Sequence, residues 1–250
     1  MTQLTALILA AGRGERMRPL TDATPKPLLH VQGKPLITWH LEALARDGVR
    51  EVVINTAYLE DQFPVALGDG SRWGLRIHYS MEGRDHGGAL ETAGGIAKAL
   101  PWLGDAFWVL AGDVFVPGFR FEADAVARFV HSDDWAHIWF VPNPAHVPQG
   151  DFALSSTGRV LRKESAPAGT PTATYSTIGL YRPAMVEGIA PGSKAALRPS
   201  LDRAIDAGKL SGQLYEGPWV DVGTPQRLAE LNAGSREALS DSLNKGPIRA

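Results

Sequence analysis

Apolar and polar positions in the first half of the chain follow two alternating patterns. Buried strands are predicted from short, almost continuous apolar runs at residues 4–11, 51–55, 75–80, 107–111 and 136–141. Helices are predicted from apolar positions that recur every three or four residues, at 36–44, 59–67, 91–100 and 123–129. This β-α-β-α order predicts a parallel sheet with helices on both faces.

The second half is less regular. A hairpin is predicted at residues 152–161, because a Ser-Ser-Thr-Gly turn separates two short apolar runs. Residues 165–174 are rich in Pro, Ala, Thr and Gly and are predicted to form a mobile loop. Further strands are expected at 174–181, 210–215 and 219–222, and further helices at 184–189, 197–207 and 225–238. Residues 241–250 lack a packing pattern and are expected to fray.

Composition narrows the class of protein. The chain has 250 residues, is 44% hydrophobic and carries a net charge of −2, which fits one globular domain and gives no support for a nucleic-acid surface. It has no cysteine, so disulfides, thiol chemistry and cysteine-ligated zinc are excluded. No signal-peptide layout and no membrane-spanning apolar run are present. We therefore expect a cytoplasmic protein without membrane contact, as a monomer or a small homo-oligomer.

The stretch from residue 7 to residue 27 has the properties of a phosphate-binding loop. A predicted strand runs into small residues whose backbone N–H groups can approach an anion, namely Ala10, Ala11, Gly12 and Gly14. Cations follow at Arg13, Arg16, Arg18 and Lys26. The dinucleotide fingerprint does not fit, because Met17 stands in place of its third glycine. The Walker A pattern does not fit either, because Met17, Arg18 and Pro19 stand where it needs Gly-Lys-Ser/Thr. A solvated basic turn is the alternative.

Two aspartates each follow a predicted strand. Asp113 comes after residues 107–111, and Asp221 lies in the segment W-V-D-V-G-T-P. Carboxylates at such positions suit Mg²⁺, which prefers oxygen ligands and usually bridges to substrate phosphates. The alternative for both is an aspartate that caps a turn. In a parallel sheet, ligands lie at the carboxyl ends of strands, where the glycine loop, Asn55, Glu82 and Asp113 are all predicted to lie.

The segment L-A-A-G-R-G-E-R-M-R-P-L-T, followed by P-K-P, resembles the signature of the sugar-1-phosphate nucleotidyltransferases. The resemblance implies an α/β, Rossmann-like fold of the nucleotide-diphospho-sugar transferase type. Its sheet would be mixed and mostly parallel, flanked by helices, with a smaller sugar-binding β portion. It also implies a single domain over residues 1–240, with a nucleotide half at 1–141 and a sugar-phosphate half at 142–240. Such enzymes join a nucleoside triphosphate, here expected to be UTP, to a sugar 1-phosphate and release pyrophosphate.

The resemblance also assigns roles to residues. It implies Mg²⁺ as cofactor, held by Asp113 and Asp221. The residues implied in catalysis are Arg16, Lys26 and Asp113. Those implied in nucleotide binding are Ala11, Gly12, Gly14, Lys26, Glu82 and Thr92. Those implied in binding the sugar phosphate are Asn143, Asp151 and Lys163. Structural roles remain the alternative for several of them: Glu82 as a surface acid, Thr92 in an ordinary helix start, Asn143 in a turn and Lys163 in solvent.

Three functions stay open. The segments L-E-T-A-G-G-I-A-K-A-L-P, N-P…G-D-F and W-V-D-V-G-T-P-Q-R-L-A-E resemble the peptidoglycan-recycling branch, which transfers uridylyl to N-acetylmuramate α-1-phosphate. Another base or sugar is the second possibility, as in mannose-1-phosphate guanylyl transfer or glucose-1-phosphate thymidylyl or uridylyl transfer. The third is a non-catalytic nucleotide-binding regulator, against which the joint presence of Arg16, Lys26, Asp113 and Asp221 argues.

Overall fold

The computed structural model describes residues 4–244, with side chains to residue 234. The helices are α1 Leu36–Arg46, α2 Gln62–Leu67, α3 Glu82–His86, α4 Glu91–Ala99, α5 Ala123–His131, α6 Leu197–Asp206 and α7 Pro225–Asn244. The strands are β1 Thr5–Leu9, β2 His30–Val31, β3 Lys34–Pro35, β4 Glu51–Thr56, β5 Arg76–Met81, β6 Phe107–Ala111, β7 Val114–Phe115, β8 Ala136–Val141, β9 Phe152–Leu154, β10 Val160–Leu161, β11 Thr172–Tyr181, β12 Leu210–Leu214 and β13 Val220–Asp221. Among these described helices, none is long and apolar enough to cross a bilayer.

The main sheet is mixed, and most of its paired residues lie in parallel ladders. Its strand order is β10-β9-β11-β6-β1-β4-β5, with β8 and β12 joined through β11. Strands β6, β1, β4 and β5 run parallel to one another, and β12 runs parallel to β8. Strand β11 is antiparallel to β6, β8 and β9. The predicted fold class and the predicted hairpin, formed by β9 and β10, are both confirmed.

Helices cover both faces of the sheet, because the central strands are apolar on both sides. On one face, alternate strand residues such as Ile8 and Ile54 pack with α1 and α2 through Leu41 and Phe63. On the other face, the intervening residues pack with helices α4 and α6; this cluster includes Leu7, Val53, Val109, Ile96 and Leu201. The carboxyl ends of β1, β4 and β6 lie next to one another at one edge of the sheet, where a cleft leaves them uncovered.

Several predicted boundaries needed correction. The helix expected at 59–67 begins at Gln62, and the one expected at 184–189 is a 3₁₀ turn at Pro183–Val186. The predicted loop at 165–174 is shorter, because β11 starts at Thr172, where it pairs with β9. The strand expected at 219–222 is reduced to β13, which pairs with β7 outside the main sheet. Helix α7 continues to Asn244, past the start of the expected tail, and residues 245–250 of that tail lie outside the described residues.

A buried histidine links α1 to the strand that follows Asp113. His40 is 2% exposed, and its ring hydrogen-bonds to the backbone of Val114 while Nε2 has no partner. Burial disfavours the charged ring and lowers the pKa of His40 from 6.5 to about 4. The unfolded chain therefore binds a proton below pH 6.5 that the folded protein does not accept until the pH nears 4.

We expect the free energy of unfolding to fall as the pH decreases from about 6.5 to about 4, and the contribution of His40 to level off below that range. The loss from this one group is about 3 kcal/mol. Urea unfolding at several pH values measures it. His40→Asn should flatten this part of the pH profile, whereas His131→Asn, at an exposed position, should leave it unchanged. An unchanged profile in His40→Asn would contradict the assignment.

Candidate active site

A cleft of about 390 Å³ opens at the carboxyl edge of β1, β4 and β6. Its volume lies in the range of small-molecule binding sites. Leu9, Asn55 and Ala111, which are register neighbours at the ends of these strands, form its floor. The rest of its wall is formed by Ala10, Ala11, Gly12, Gly14, Pro27, Ala89, Glu91, Thr92, Asp113, Tyr175, Thr177 and Leu197. The predicted edge of the sheet is thus where the cavity lies.

The glycine loop presents bare backbone to this cleft. A Cβ added at Gly12 would meet no atom within 4 Å, so the backbone there faces open space. Gly14 adopts a left-handed conformation with φ of 68°, which costs glycine little. A Cβ at Gly14 would lie 3.1 Å from Cβ of Lys26, so glycine lets the lysine stem pass close beneath the loop. The predicted nucleotide residues Ala11, Gly12, Gly14 and Thr92 all line the cleft.

Lys26 and Asp113 form an ion pair at the cleft. Lys26 Nζ lies 2.6 Å from Asp113 Oδ2. Lys26 is only 8% exposed, whereas the side chain of Asp113 is 41% exposed. Gly112 donates its N–H to the Leu9 carbonyl at 2.8 Å, which fixes the turn that carries Asp113. The structure therefore brings together two predicted site residues that are far apart in the chain.

Asp221 reaches the same place through the short ladder between β13 and β7. Asp221 is the register partner of Val114, and the N–H of Val222 donates to the carbonyl of Asp113 at 3.0 Å. A small core supports this ladder from below, consisting of Met17, Val31, Leu36, Phe115, Val222 and Leu228. Met17 thus anchors the phosphate loop to the segment that carries Asp221.

Arg16 points to the turn after Asp221. A Cβ built at Gly223 would lie 3.6 Å from Arg16 Nη2 and 3.0 Å from Asp221 Oδ2. The exposed guanidinium of Arg16 therefore lies beside the second aspartate. Of the four residues that the sequence analysis placed in catalysis and metal binding, Asp113 lines the cleft and Lys26 pairs with it. Asp221 lies in the adjoining β13–β7 ladder, and Arg16 lies near the turn after it.

The two aspartates offer the oxygen ligands that Mg²⁺ prefers. Side chains of Asp113 and Asp221 are 41% and 27% exposed, so both carboxylates remain within reach of an ion. No cluster of three or more acidic or histidine side chains within residues 4–234 is arranged to hold an ion by itself. An ion held by two carboxylates needs further oxygens, and substrate phosphates are the usual source for Mg²⁺.

Glu82 lies outside the lining of the cleft, so its contact with the nucleotide remains a prediction. It is fully buried: Oε1 accepts a hydrogen bond from Asn55 Nδ2, and Oε2 accepts one from the N–H of Leu90, both at 2.8 Å. Burial raises the pKa of Glu82, and these hydrogen bonds oppose the rise. Asn55 Oδ1 in turn accepts the N–H of Ala10 at 2.8 Å. Glu82 therefore ties the glycine loop to the start of α4.

The residues predicted to bind the sugar phosphate cluster together but do not line the cleft. Asn143 Nδ2 donates to the carbonyl of Thr172 at 3.2 Å, and Asp151 Oδ2 accepts the N–H of Tyr175 at 2.9 Å. Lys163 Nζ donates to the carbonyl of Gly150 at 2.7 Å. These bonds hold the segment after β8 against β11, so direct contact of the three side chains with substrate remains a prediction.

The second-half wall of the cleft was not predicted. Strand β11 has a bulge between Tyr175 and Gly179, and Thr177 there has φ of 66°, which is strained for a residue with a Cβ. Ser176 holds the bulge, since its Oγ donates to Trp139 and its carbonyl accepts Trp219 Nε1 at 3.0 Å. The bulge places Thr177 on the cleft wall. The regular strand predicted at 174–181 gave no indication of this bulge.

Known proteins are similar to this chain in sequence and in fold. The N-acetylmuramate alpha-1-phosphate uridylyltransferase of Neisseria meningitidis serogroup B is 49% identical over 92% of this chain and 97% of its own length. The mannose-1-phosphate guanylyltransferase of Mycobacterium tuberculosis is 40% identical over 92% of this chain and 64% of its own. A crystal structure from Bacillus anthracis, described as a glucose-1-phosphate thymidylyltransferase, superposes with a TM-score of 0.77 at 21% identity, covering 94% of this chain and 96% of that one, and supports the fold alone. Residues 5–237 match the nucleotidyl transferase family model, and the chain belongs to that family.

Proposed function

We propose that this protein transfers the uridylyl group of UTP to N-acetylmuramate α-1-phosphate, forming UDP-N-acetylmuramate and pyrophosphate, as a step of peptidoglycan recycling. The observation that carries the reaction class is the ion pair of Lys26 with Asp113 on the wall of a cleft lined by bare backbone, with Asp221 in the adjoining β13–β7 ladder. The choice of base and sugar is supported by 49% identity to the Neisseria enzyme over nearly the full length of both chains.

The chemistry requires positioning and charge more than proton transfer. A phosphate oxygen of the sugar 1-phosphate attacks the α-phosphorus of UTP, and the bond from that phosphorus to the bridging oxygen of the β-phosphate breaks. The attacking oxygen is already anionic, so no general base is needed; the obstacle is repulsion between two anions. Lys26 and Arg16 offset that repulsion and stabilise the charge on the transferred and departing phosphates. The buried lysine holds its charge in place before substrate arrives.

Asp113 and Asp221 would hold the divalent ion of this reaction. When bound, Mg²⁺ supplies positive charge that neutralises the triphosphate and the developing charge on pyrophosphate. Asp113 would hold the ion from the turn after β6, and Asp221 would hold it from β13. The backbone of the glycine loop would cradle the triphosphate, while Thr92 and the Asn55–Glu82 pair shape the nucleoside end. In this proposal residues 1–141 mainly bind the nucleotide and residues 142–240 the sugar phosphate.

The lactyl carboxylate of N-acetylmuramate needs a cation beside the sugar. Arg162, Lys163 and Lys194 are three cations of the second half that could take this role. Arg162 is already bound by Asp206 and Asp202, and Lys163 donates to a backbone carbonyl. Lys194 is 68% exposed and lies 3.6 Å from Glu91, a residue of the cleft wall. Its loose pairing makes Lys194 the cation best placed to bind an additional carboxylate.

Substrate choice is the primary test. Pyrophosphate release is measured for UTP, dTTP and GTP, each paired with N-acetylmuramate, N-acetylglucosamine, glucose or mannose 1-phosphate. We expect UTP with N-acetylmuramate α-1-phosphate to have the highest kcat/KM, by tenfold or more. Tenfold needs only about 1.4 kcal/mol of differential transition-state binding, within reach of one charge-assisted hydrogen bond. A better rate with glucose 1-phosphate, or with dTTP or GTP, would replace this function by another member of the family.

Turnover should require a divalent ion. Excess EDTA should abolish pyrophosphate release, and added Mg²⁺ should restore it, because the two carboxylates otherwise add negative charge to an anionic site. Asp113→Asn and Asp221→Asn should each lose most activity at saturating Mg²⁺. Asp105→Asn is the matched control, since this exposed residue precedes β6 at the opposite end of the strand. Full turnover in EDTA would overturn the metal assignment.

Removing the charge of Lys26 should slow the reaction while the fold survives. The lysine is more buried than its place between two prolines suggested, so Lys26→Met, which keeps an apolar stem, is the better variant than Lys26→Ala. We expect kcat/KM to fall by about 10²–10³, as for other lost transition-state contacts. Lys34→Met serves as control, because Lys34 pairs with Glu42 and stacks on Trp39. Activity near that of the wild type would exclude the proposed role of Lys26.

A further inference from the structure

The carboxylate of Asp221 is in contact with two side chains of the second half of the chain, Arg227 and His146. Arg227 Nη1 lies 2.5 Å from Asp221 Oδ2 and 3.3 Å from the carbonyl oxygen of the same residue. His146 Nε2 lies 3.2 Å from Oδ1. Arg227 stands in the first turn of α7, where its N–H donates to Thr224 Oγ1 at 3.3 Å. Both oxygens that a metal ion would use on Asp221 are therefore already in contact with a side-chain nitrogen.

A glycine leaves room for Arg227 at this carboxylate. A Cβ at Gly223 would lie 3.0 Å from Asp221 Oδ2 and 3.2 Å from Arg227 Nη1, so a side chain there would crowd the ion pair. The same Cβ would lie 3.6 Å from Arg16 Nη2, which is ordinary van der Waals contact. The bare face of Gly223 thus admits Arg227, from α7, to the carboxylate, with Arg16 of the phosphate loop nearby.

Arg227 competes with a metal ion for the carboxylate of Asp221, through its charge and through its hydrogen bond. The guanidinium of Arg227 neutralises Asp221 and so removes the attraction that this carboxylate would offer to a dication. The hydrogen bond of 2.5 Å from the guanidinium uses one lone pair of Oδ2 and lowers the electron density that this oxygen offers to Mg²⁺, so Arg227 weakens Asp221 as a ligand. The same guanidinium, once released, presents donors in a fork that suits phosphate oxygens.

We propose that Arg227 is the resting counter-ion of Asp221, and that it moves to the substrate phosphates when Asp221 takes up the divalent ion. The inference rests on the proposed role of Asp221 as an ion ligand. Arg227 then has two opposite effects. It weakens the binding of an ion to the free enzyme, and it strengthens the binding and reaction of the metal–nucleotide complex. A residue that only supported the turn after Asp221 would strengthen the binding of the ion to the free enzyme as well as the binding of the metal–nucleotide complex.

The test measures the two effects separately. Mn²⁺ binding without nucleotide is followed by electron paramagnetic resonance of the free ion, and steady-state kinetics with UTP are measured at saturating Mg²⁺. For Arg227→Gln we expect Mn²⁺ to bind about threefold to tenfold more tightly, while kcat/KM for UTP falls by tenfold or more. Arg227→Lys, which retains the charge, should lie between Arg227→Gln and the wild type in both measurements. Arg84→Gln, which removes one positive charge from an exposed pair with Asp61, should change neither.

Weaker or unchanged Mn²⁺ binding in Arg227→Gln would overturn the inference and leave Arg227 as a support of the turn. Asp221→Asn separates this result from a failure of the underlying assignment. If Asp221→Asn loses Mn²⁺ affinity while Arg227→Gln does not gain it, only the role of Arg227 is wrong. If Asp221→Asn binds Mn²⁺ like the wild type, Asp221 is not an ion ligand and both proposals fall. Melting in EDTA checks that each variant is folded, and Arg227→Lys carries the test if Arg227→Gln is not.

Discussion

The site depends on a ladder of two residue pairs. Strand β13 pairs with β7 through Val220 and Asp221, outside the main sheet. That pairing alone sets Asp221 beside the turn of Asp113, and it is secured by the buried side chains of Met17 and Val222 beneath it. The phosphate loop, strand β7 and the start of α7 all contribute side chains to this small core. A change that loosened it would separate the two carboxylates without disturbing the large clusters on either face of the main sheet.

The first half of the fold could be predicted because its signals are local. Strands β6 and β8 begin and end where the apolar runs do, and α1 begins directly after Pro35 as expected. Chirality and short connections then leave little choice but a parallel sheet with its ligand edge at the strand ends. The placement of Asp113 at the cleft follows from that topology, so it needed no knowledge of side-chain contacts.

What could not be predicted depends on contacts between distant segments. Nothing in the sequence around Glu82 distinguishes an acid that meets the ligand from one that bonds to Asn55 and to the N–H of Leu90. The bulge that brings Thr177 to the cleft is a departure of one strand from its partner's register, which strand periodicity does not encode. The pairing of β13 with β7 belongs to the same class, because two residues carry too little pattern to specify a partner.

The electrostatics of the site follow from placing carboxylates where anions must bind. In the proposed reaction an anionic triphosphate and an anionic sugar phosphate would be repelled by bare Asp113 and Asp221, although the divalent ion would need them. In the structure each carboxylate has a cation of its own, Lys26 from the first half and Arg227 from α7. Both carboxylates are therefore neutralised before substrate binds, and binding would exchange their partners without creating isolated charges. Such an exchange avoids the desolvation penalty of an unpaired carboxylate, which explains why the cations lie against the acids and not only against the phosphate loop.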